Sequence, residues 1–334
     1  MRPILHPALV NGRTGDPAVY VETIFERATL LFDLGDLSNL SPRKIQRLAH
    51  VFVSHTHLDH FFGFDRLLRI LVGRESTLRL YGPPGFVEQV RLKLAAYCWN
   101  LAHRYKAELT FVVTEVERDL TVRAGRFRLT TRFAYEPLEA GSGADGLLVA
   151  APTFRVTTAM LDHGTPCLAF AVQEPGHINV WKNRLAEMGL PVGPWLQGLK
   201  RALIDNRPDD YPIALDPRPG ATAPEPRPLG ALRRAVTMTP GQKIGYVTDA
   251  ADTAANRRAI VDLVRDADIL FIEAHFAAAD AHLAADRMHL TTAAAGAIAR
   301  EAGVRRVEPF HFSPRYQGDE ARLIGEVQAA FAGN

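Results

Sequence analysis

Cysteine is scarce. Cys98 and Cys167 are the two in a chain of 334 residues, which excludes a disulfide framework. No stretch approaches the roughly 18 to 20 consecutive apolar residues of a membrane-spanning helix. Met1 to Pro7 carry no apolar segment of the signal-peptide kind. No membrane partner is expected, and the cytoplasm is the expected compartment. Excess charge is also lacking. The formal net charge is +2, so the bulk balance announces no nucleic-acid partner. Lysine is rare beside arginine, a bias that suits phosphate recognition and equally suits a GC-rich genome. At 47% hydrophobic and 23% charged, the chain has ample material for a globular core.

What is present is concentrated in Ser54-His55-Thr56-His57-Leu58-Asp59-His60. Three imidazoles and a carboxylate fall within six residues, directly after the apolar run Val51-Phe52-Val53. These are the ligands that a divalent metal such as zinc prefers. The apolar run reads as a buried strand, so the cluster sits where a strand gives way to a loop, the usual place for a site in an α/β fold. In an extended segment alternate side chains point the same way. That puts His55, His57 and Asp59 on one side and turns His60 elsewhere, an arrangement that suits two adjacent metals better than one.

The spacing His-x-His-x-Asp-His resembles the signature of the metallo-β-lactamase superfamily. The resemblance implies that His55 and His57 bind one zinc, that Asp59 and His60 bind a second, and that three more ligands lie downstream. Candidates stand at strand ends. His163 follows the strand Phe154 to Ala159 and precedes a return strand, Cys167 to Val172. Asp249 closes the strand Lys243 to Val247 and fits the family's bridging ligand, with Asp252 as its competitor. His311 ends a strand beginning at Val307. Asp33, in Asp33-Leu34-Gly35, resembles the family's early aspartate that supports the metal loop without binding metal. Such carboxylates fix imidazole orientation.

The coarse reading of the rest gives strands over 19–33 and at Leu78 to Tyr81. Ser41-Pro42 reads as a helix cap, and Gly63 to Val72 as helix. One long amphipathic helix is expected from Val87 through Cys98 to Tyr105, with Cys98 in the core. Short strands are expected from Leu109 to Ala134, divided at Gly125. A polar loop spans Glu139 to Gly146. Helices are expected over Asn256 to Val264 and from Thr291 or Thr292 to Ala302.

Residues 177–240 read as an insertion with a helix from Trp181 to Met188 and a proline-rich stretch from Pro208 to Pro228. Its Leu190-Pro191-Val192-Gly193-Pro194 run, followed by Leu196 to Lys200, resembles the arm of the ribonuclease Z family, endonucleases that trim the 3′ end of precursor tRNA. So do His289-Leu290-Thr291 and His311-Phe312-Ser313-Pro314-Arg315-Tyr316. The resemblance implies a four-layer αββα sandwich of the metallo-β-lactamase type. It would be one domain over 1–334 with 177–240 as a projecting arm, and possession of two zinc ions per subunit, for which Mn2+ or Fe2+ could substitute. The first half is expected to contribute His55 to His60 and His163 from one sheet, the second Asp249 and His311 from another. Lys182, Arg184, Lys200 and Arg201 would contact tRNA phosphate, as would Ser313 and Arg315. The family also implies a homodimer.

A water held between two such ions loses its proton near neutral pH. Asp59 would orient that nucleophile or take its proton, and His289 would give a proton to the leaving oxygen. Glu273 joins them as a catalytic candidate. Ribonuclease Z commonly has His-Glu-Ala-Thr here, whereas this chain has Ile272-Glu273-Ala274-His275, so the roles of Glu273 and His275 stay open. The N-terminal loops Asn11 to Asp16 and Asp33 to Ser38 also depart from the family. A hydrolase of small phosphodiesters or lactones on the same fold is therefore the alternative. A non-catalytic RNA-binding relative would need broken ligands, and all seven are present.

Overall fold

The computed structural model describes residues 3–24, 28–139, 144–216 and 225–333. Parts of the loop expected over 139–146 and of the proline-rich stretch 208–228 lie outside them. The chain divides into two compact units, Arg2–Gln173 with Gln242–Asn334, and Glu174–Gly241.

The first unit opens with an eight-stranded sheet paired in sequence order. Its strands are β1 (Leu5–Leu9), β2 (Val19–Thr23), β3 (Thr29–Phe32), β4 (Leu48–Phe52), β5 (Ser76–Gly82), β6 (Leu109–Val116), β7 (Val122–Arg128) and β8 (Tyr135–Leu138). β3 to β6 run parallel, which requires crossovers. These carry α1 (Pro42–Ile45), α2 (Leu58–Phe61), α3 (Phe64–Leu71) and α4 (Phe86–Ala95). Ser41 caps α1 by accepting from the Lys44 amide, with Pro42 at the first helical position. Next come β9 (Leu147–Ala150), β10 (Arg155–Asp162) and β11 (Pro166–Gln173) of a second sheet.

Glu174–Gly241 is a unit with its own core. β12 (His177–Val180) is followed by α5 (Lys182–Glu187), α6 (Trp195–Ile204), two-residue strands β13 (Pro212–Ile213) and β14 (Arg227–Pro228), α7 (Leu229–Arg233) and β15 (Val236–Thr239), which pairs with β12. Leu185, Trp195, Leu199, Leu203, Ile213, Leu229 and Leu232 pack together inside it. Trp195 ties the Gly-Pro segment down, donating its indole N–H to the Pro191 carbonyl at 2.9 Å. Proline confines regular pairing here to two residues per strand.

The chain then returns to the second sheet as β16 (Lys243–Val247), α8 (Ala254–Val264), β17 (Ile269–Glu273), α9 (Ala281–Asp286), α10 (Thr292–Glu301), β18 (Val307–Phe310) and α11 (Glu320–Ala332). The sheet order is β18-β17-β16-β11-β10-β9. Period-two alternation sorts the side chains into three cores. Val19, Val21, Leu30, Phe32 and Phe52 of the first sheet meet Phe170, Ile244, Tyr246 and Phe271 of the second. Tyr20, Leu31, Val51 and Leu80 face α1, α3 and α4, while Cys167, Val247, Leu270 and Ile272 face α8, α10 and α11. Three cores between four layers make the αββα sandwich. Stacked rings cross the central one, Tyr81 on Phe52 at 4.7 Å, Phe52 on Phe32 at 5.2 Å and Phe32 on Tyr246 at 5.4 Å.

Three expectations need correction. The helix from Val87 stops at Ala95, and Cys98 is exposed. Trp99 ends the helix by turning its indole N–H back to the Leu94 carbonyl at 2.8 Å, satisfying one of the terminal acceptors. Gly125 does not divide two strands. It lies inside β7, where a Cβ would sit 2.3 Å from the Tyr135 ring of the neighbouring strand. Finally, His163 belongs to the turn between β10 and β11, on the second sheet rather than the first.

Parallel strands place the functional loops at their C-terminal ends. Asp33, Asp249 and His311 follow β3, β16 and β18 and all take the left-handed backbone conformation, with φ of 60°, 48° and 58°. Non-glycine residues adopt it at a cost and mostly at functional sites.

Candidate metal centre

His55 lies three residues beyond β4, and His57 directly precedes α2. Because the helix begins at Leu58, the extended alternation holds for His55 and His57 only. Asp59 and His60 sit in the first helical turn and face a different point. Two groups result. His55, His57, His163 and Asp249 bring ligand atoms within 4.8 Å of one another, and so do Asp59, His60 and His311.

Asp249 joins the groups. Its Oδ2 is 3.5 Å from His55 Nε2, 3.4 Å from His60 Nε2 and 3.3 Å from His163 Nε2. Its Oδ1 is 2.8 Å from His311 Nδ1. His55 Nε2, His60 Nε2 and His311 Nδ1 are buried near the Asp249 carboxylate but make no well-directed hydrogen bond. Burying such groups unpaired is costly. A cation amid convergent nitrogens and carboxylates removes that cost, so the donor set fits divalent metal. Asp252, the competitor, is instead paired with Arg257.

Buried bonds orient the imidazoles. Asp33 accepts from the Ser54 amide at 2.6 Å, from Ser54 Oγ at 2.8 Å, and from Tyr246 Oη at 2.6 Å. Its Oδ2 also holds His60 Nδ1 at 2.8 Å, which leaves Nε2 for the site. His163 Nδ1 donates to the Met288 carbonyl at 2.7 Å. Such partners set tautomer and ring direction. Sequence reading missed Asn256, which is buried. Its amide group donates to the Asp162 and Ala251 carbonyls, both at 2.8 Å, and so clamps the His163 turn to the Asp249 loop. An asparagine three residues into a helical pattern carries no signal for this.

A third group lies beside these two: Glu273, His275, His289 and His311. Glu273 is fully buried and holds His289 Nδ1 at 2.8 Å. It is itself held by the amides of Ala250 at 2.7 Å and Leu290 at 3.3 Å. Thr291, rather than Thr292, caps α10.

The side chains set one another's protonation. Burial presses His60 toward neutrality, yet Asp249 and Asp33 hold its pKa well above the usual value. His311 is buried as well, and Asp249 and Asp59 lift it to about 9. Burial, reinforced by His60, takes His55 down to about 2. Burial takes His275 down to about 3. Against its own burial, His289 is raised by Glu273. Asp249 is buried, but His311 and His60 hold it well below the carboxylate range, and the same two imidazoles lower Asp59.

The expected substrate contacts divide between the units. Ser313 is buried, its amide donating to the His275 carbonyl at 3.0 Å. Arg315 is exposed, its guanidinium over the Phe276 ring. Lys182, Arg184, Lys200 and Arg201 are exposed on the Glu174–Gly241 unit. Among the described residues, no helix is long and apolar enough to cross a membrane.

Known proteins resemble this chain in sequence and in fold. Ribonuclease Z of Deinococcus radiodurans is 32% identical over 98% of this chain and 96% of its own length. Ribonuclease Z of Geobacillus kaustophilus is 31% identical over 94% of this chain and 88% of its own. Among solved structures, a metallo-β-lactamase fold protein from Bacillus subtilis, YhfI, matches with a TM-score of 0.55 at 18% identity. That match covers 96% of this chain and 92% of the other. The short form of human tRNase Z matches with a TM-score of 0.51 at 19% identity, over 94% and 92%. No family model matches the chain.

Proposed function

The chain belongs to the ribonuclease Z family, and on that premise we propose that it is a metal-dependent endoribonuclease that removes the 3′ trailer of precursor tRNA. The observation that carries the reading is Asp249, a buried carboxylate reached by imidazoles of both ligand groups. We infer two ions. His55, His57, His163 and Asp249 would hold one, and Asp59, His60, His311 and Asp249 the other. Imidazole with carboxylate suits zinc, and Mn2+ or Fe2+ also suit it. When bound, such metals polarise the phosphodiester and supply a nucleophile from water at neutral pH.

The chain's own groups do the rest in this reading. Asp59 is half-exposed, its Oδ2 3.3 Å from His311 Nε2 and 3.5 Å from His60 Nε2, placed to take or orient the proton of the attacking water. His289 is held at Nδ1 by Glu273, so Nε2 is the nitrogen that hands a proton to the leaving oxygen. Ser313 and Arg315 would bind substrate phosphate. Lys182, Arg184, Lys200 and Arg201 would hold the body of the tRNA without reading its sequence.

A precursor tRNA with a 3′ trailer tests the reading. We expect a cut after the discriminator base that a chelator stops. A loaded enzyme that leaves precursor tRNA intact yet opens small phosphodiesters or lactones would establish the alternative substrate class. That alternative is favoured by the Asn11–Asp16 loop, which departs from the family's sequence and in which Arg13 pairs with Glu308 at 2.6 Å.

Metal binding has a pH signature. Asp249 and Asp59 lift the His311 pKa to about 9, and Asp249 and Asp33 raise that of His60, so protons compete with metal at both imidazoles. Raised imidazole pKa values mean that acid competes with metal. Affinity should fall as the pH drops below about 9, by roughly tenfold per pH unit for the proton on His311, and more steeply where His60 also holds one. Competition against a chelator at pH 6, 7 and 8 measures it, and a flat profile would remove this account of the site.

A further inference from the structure

His275 stands outside the two ligand groups yet inside the site. It follows β17 by two residues, and its ring lies flat on the ring of His289, centroids 4.0 Å apart and planes 10° apart. Phe276 and His311 meet His275 edge-on, each at 4.8 Å. Its Nδ1 is buried and has no hydrogen-bond partner, although the ring also hydrogen-bonds the His311 backbone. A polar atom buried without a partner is a cost, so the ring is not kept there for hydrogen bonding through Nδ1.

The neighbour explains what the ring can do. Glu273 fixes His289 along one edge, through Nδ1 at 2.8 Å. One edge bond leaves an imidazole free to swing about the bond axis, and that swing moves Nε2. Contact over the ring face removes this freedom. Glu273 sets the tautomer and His275 sets the plane.

The geometry points to His275 as a positioning residue, which holds the plane of the His289 ring and so aims its Nε2 at the leaving oxygen of the phosphodiester. The inference rests on the reading of His289 as proton donor. It concerns a residue where this chain departs from the common His-Glu-Ala-Thr sequence, and it gives that departure a use.

The test is a set of variants on the metal-loaded enzyme: His275→Ala, His275→Phe, His275→Gln, His289→Ala and the double alanine variant. A displaced proton donor costs on the order of 10- to 100-fold in rate. His275→Ala should lower kcat on precursor tRNA by that amount, with KM and metal content unchanged. His275→Phe keeps a flat ring and should restore most of the rate. His275→Gln keeps polarity without the ring face and should not. Added to His289→Ala, the second alanine should cost nothing more, since His275 acts through His289. Hydrolysis of bis(4-nitrophenyl) phosphate, whose leaving group needs no proton, should fall far less than cleavage of precursor tRNA in the three His275 variants.

Several results would overturn the inference. They are wild-type kcat in His275→Ala, rescue by glutamine instead of phenylalanine, a full additional loss in the double variant, or lost metal. Equal damage to both substrates would make His275 a scaffold residue. Wild-type protein that leaves precursor tRNA uncut overturns the substrate reading alone. The same cycle then runs on a ribodinucleotide, whose leaving hydroxyl also needs a proton, and decides the positioning role there.

Discussion

Asp249→Ala should lower kcat/KM on precursor tRNA by about 10^4-fold or more, equivalent to roughly 5 kcal/mol or more of transition-state stabilisation. The metal bound per chain should fall with it. The reason is that one carboxylate serves both ligand groups. Its two oxygens lie 2.8 to 3.5 Å from His311, His163, His60 and His55. Alanine removes a ligand from each ion in the proposed set, a loss that outweighs the easier deprotonation of His311 and His60. Asp249→Asn sharpens the test. It keeps size and the Oδ1 acceptor but loses the charge, so it should fold, bind metal poorly and cleave poorly. Metal analysis alongside cleavage separates the causes. Full metal content with no activity would make Asp249 a purely chemical group, and full activity would exclude it from the site.

Excising Glu174–Gly241 should separate tRNA capture from bond cleavage. Gln173 and Lys243 face each other across the antiparallel β11–β16 pair, so an Asn-Gly turn in place of residues 174–242 can close the gap as in an ordinary hairpin. A shorter cut, over residues 183–205, would take Leu185, Trp195 and Leu199 from that unit's core and leave its remainder unfolded. The clean excision removes Lys182, Arg184, Lys200 and Arg201 together. If each contributes roughly 0.5 to 1 kcal/mol to phosphate binding, affinity for precursor tRNA falls about 10^2-fold, appearing in KM. The salt dependence should flatten by about three counterions for four lost contacts. Hydrolysis of bis(4-nitrophenyl) phosphate should stay within about threefold, a margin set by ordinary surface effects. Loss of both activities would mean that the unit supports the fold, and loss of neither would remove it from recognition.

The convergence of the candidate ligands was legible because ligand chemistry is dense in sequence. His55 to His60 compress four donors into six residues, and His163, Asp249 and His311 stand at ends of apolar runs that could only be strands. The runs gave the strands, and the family resemblance implied the sandwich they build. What was not legible depends on partners distant in the chain. Cys98 falls on a helical stripe, but the stripe is cut short by an indole three residues beyond Ala96. Gly125 looks like a break because the Tyr135 ring that covers it comes from another strand. Asn256 has a clamp role only because two loops far apart in sequence meet there. His275 departs from the family's sequence, and only the stacking on His289 gives that departure a meaning.

The left-handed backbone at Asp33, Asp249 and His311 bears on how the site can change over generations. Apart from glycine, asparagine, aspartate and histidine are the residues that best tolerate that conformation. Two of those three are also in the proposed ligand set. Substitution at these positions therefore passes two filters that favour the same letters. Glutamate or cysteine would satisfy the coordination chemistry and strain the chain, whereas glycine would relax the chain and abandon the chemistry. A descendant that no longer cut RNA would still be held to Asp, Asn, His or Gly at these three strand ends. The aspartates and the histidine would outlast the reaction they serve, and their presence in a distant relative would attest to the fold before it attested to the activity.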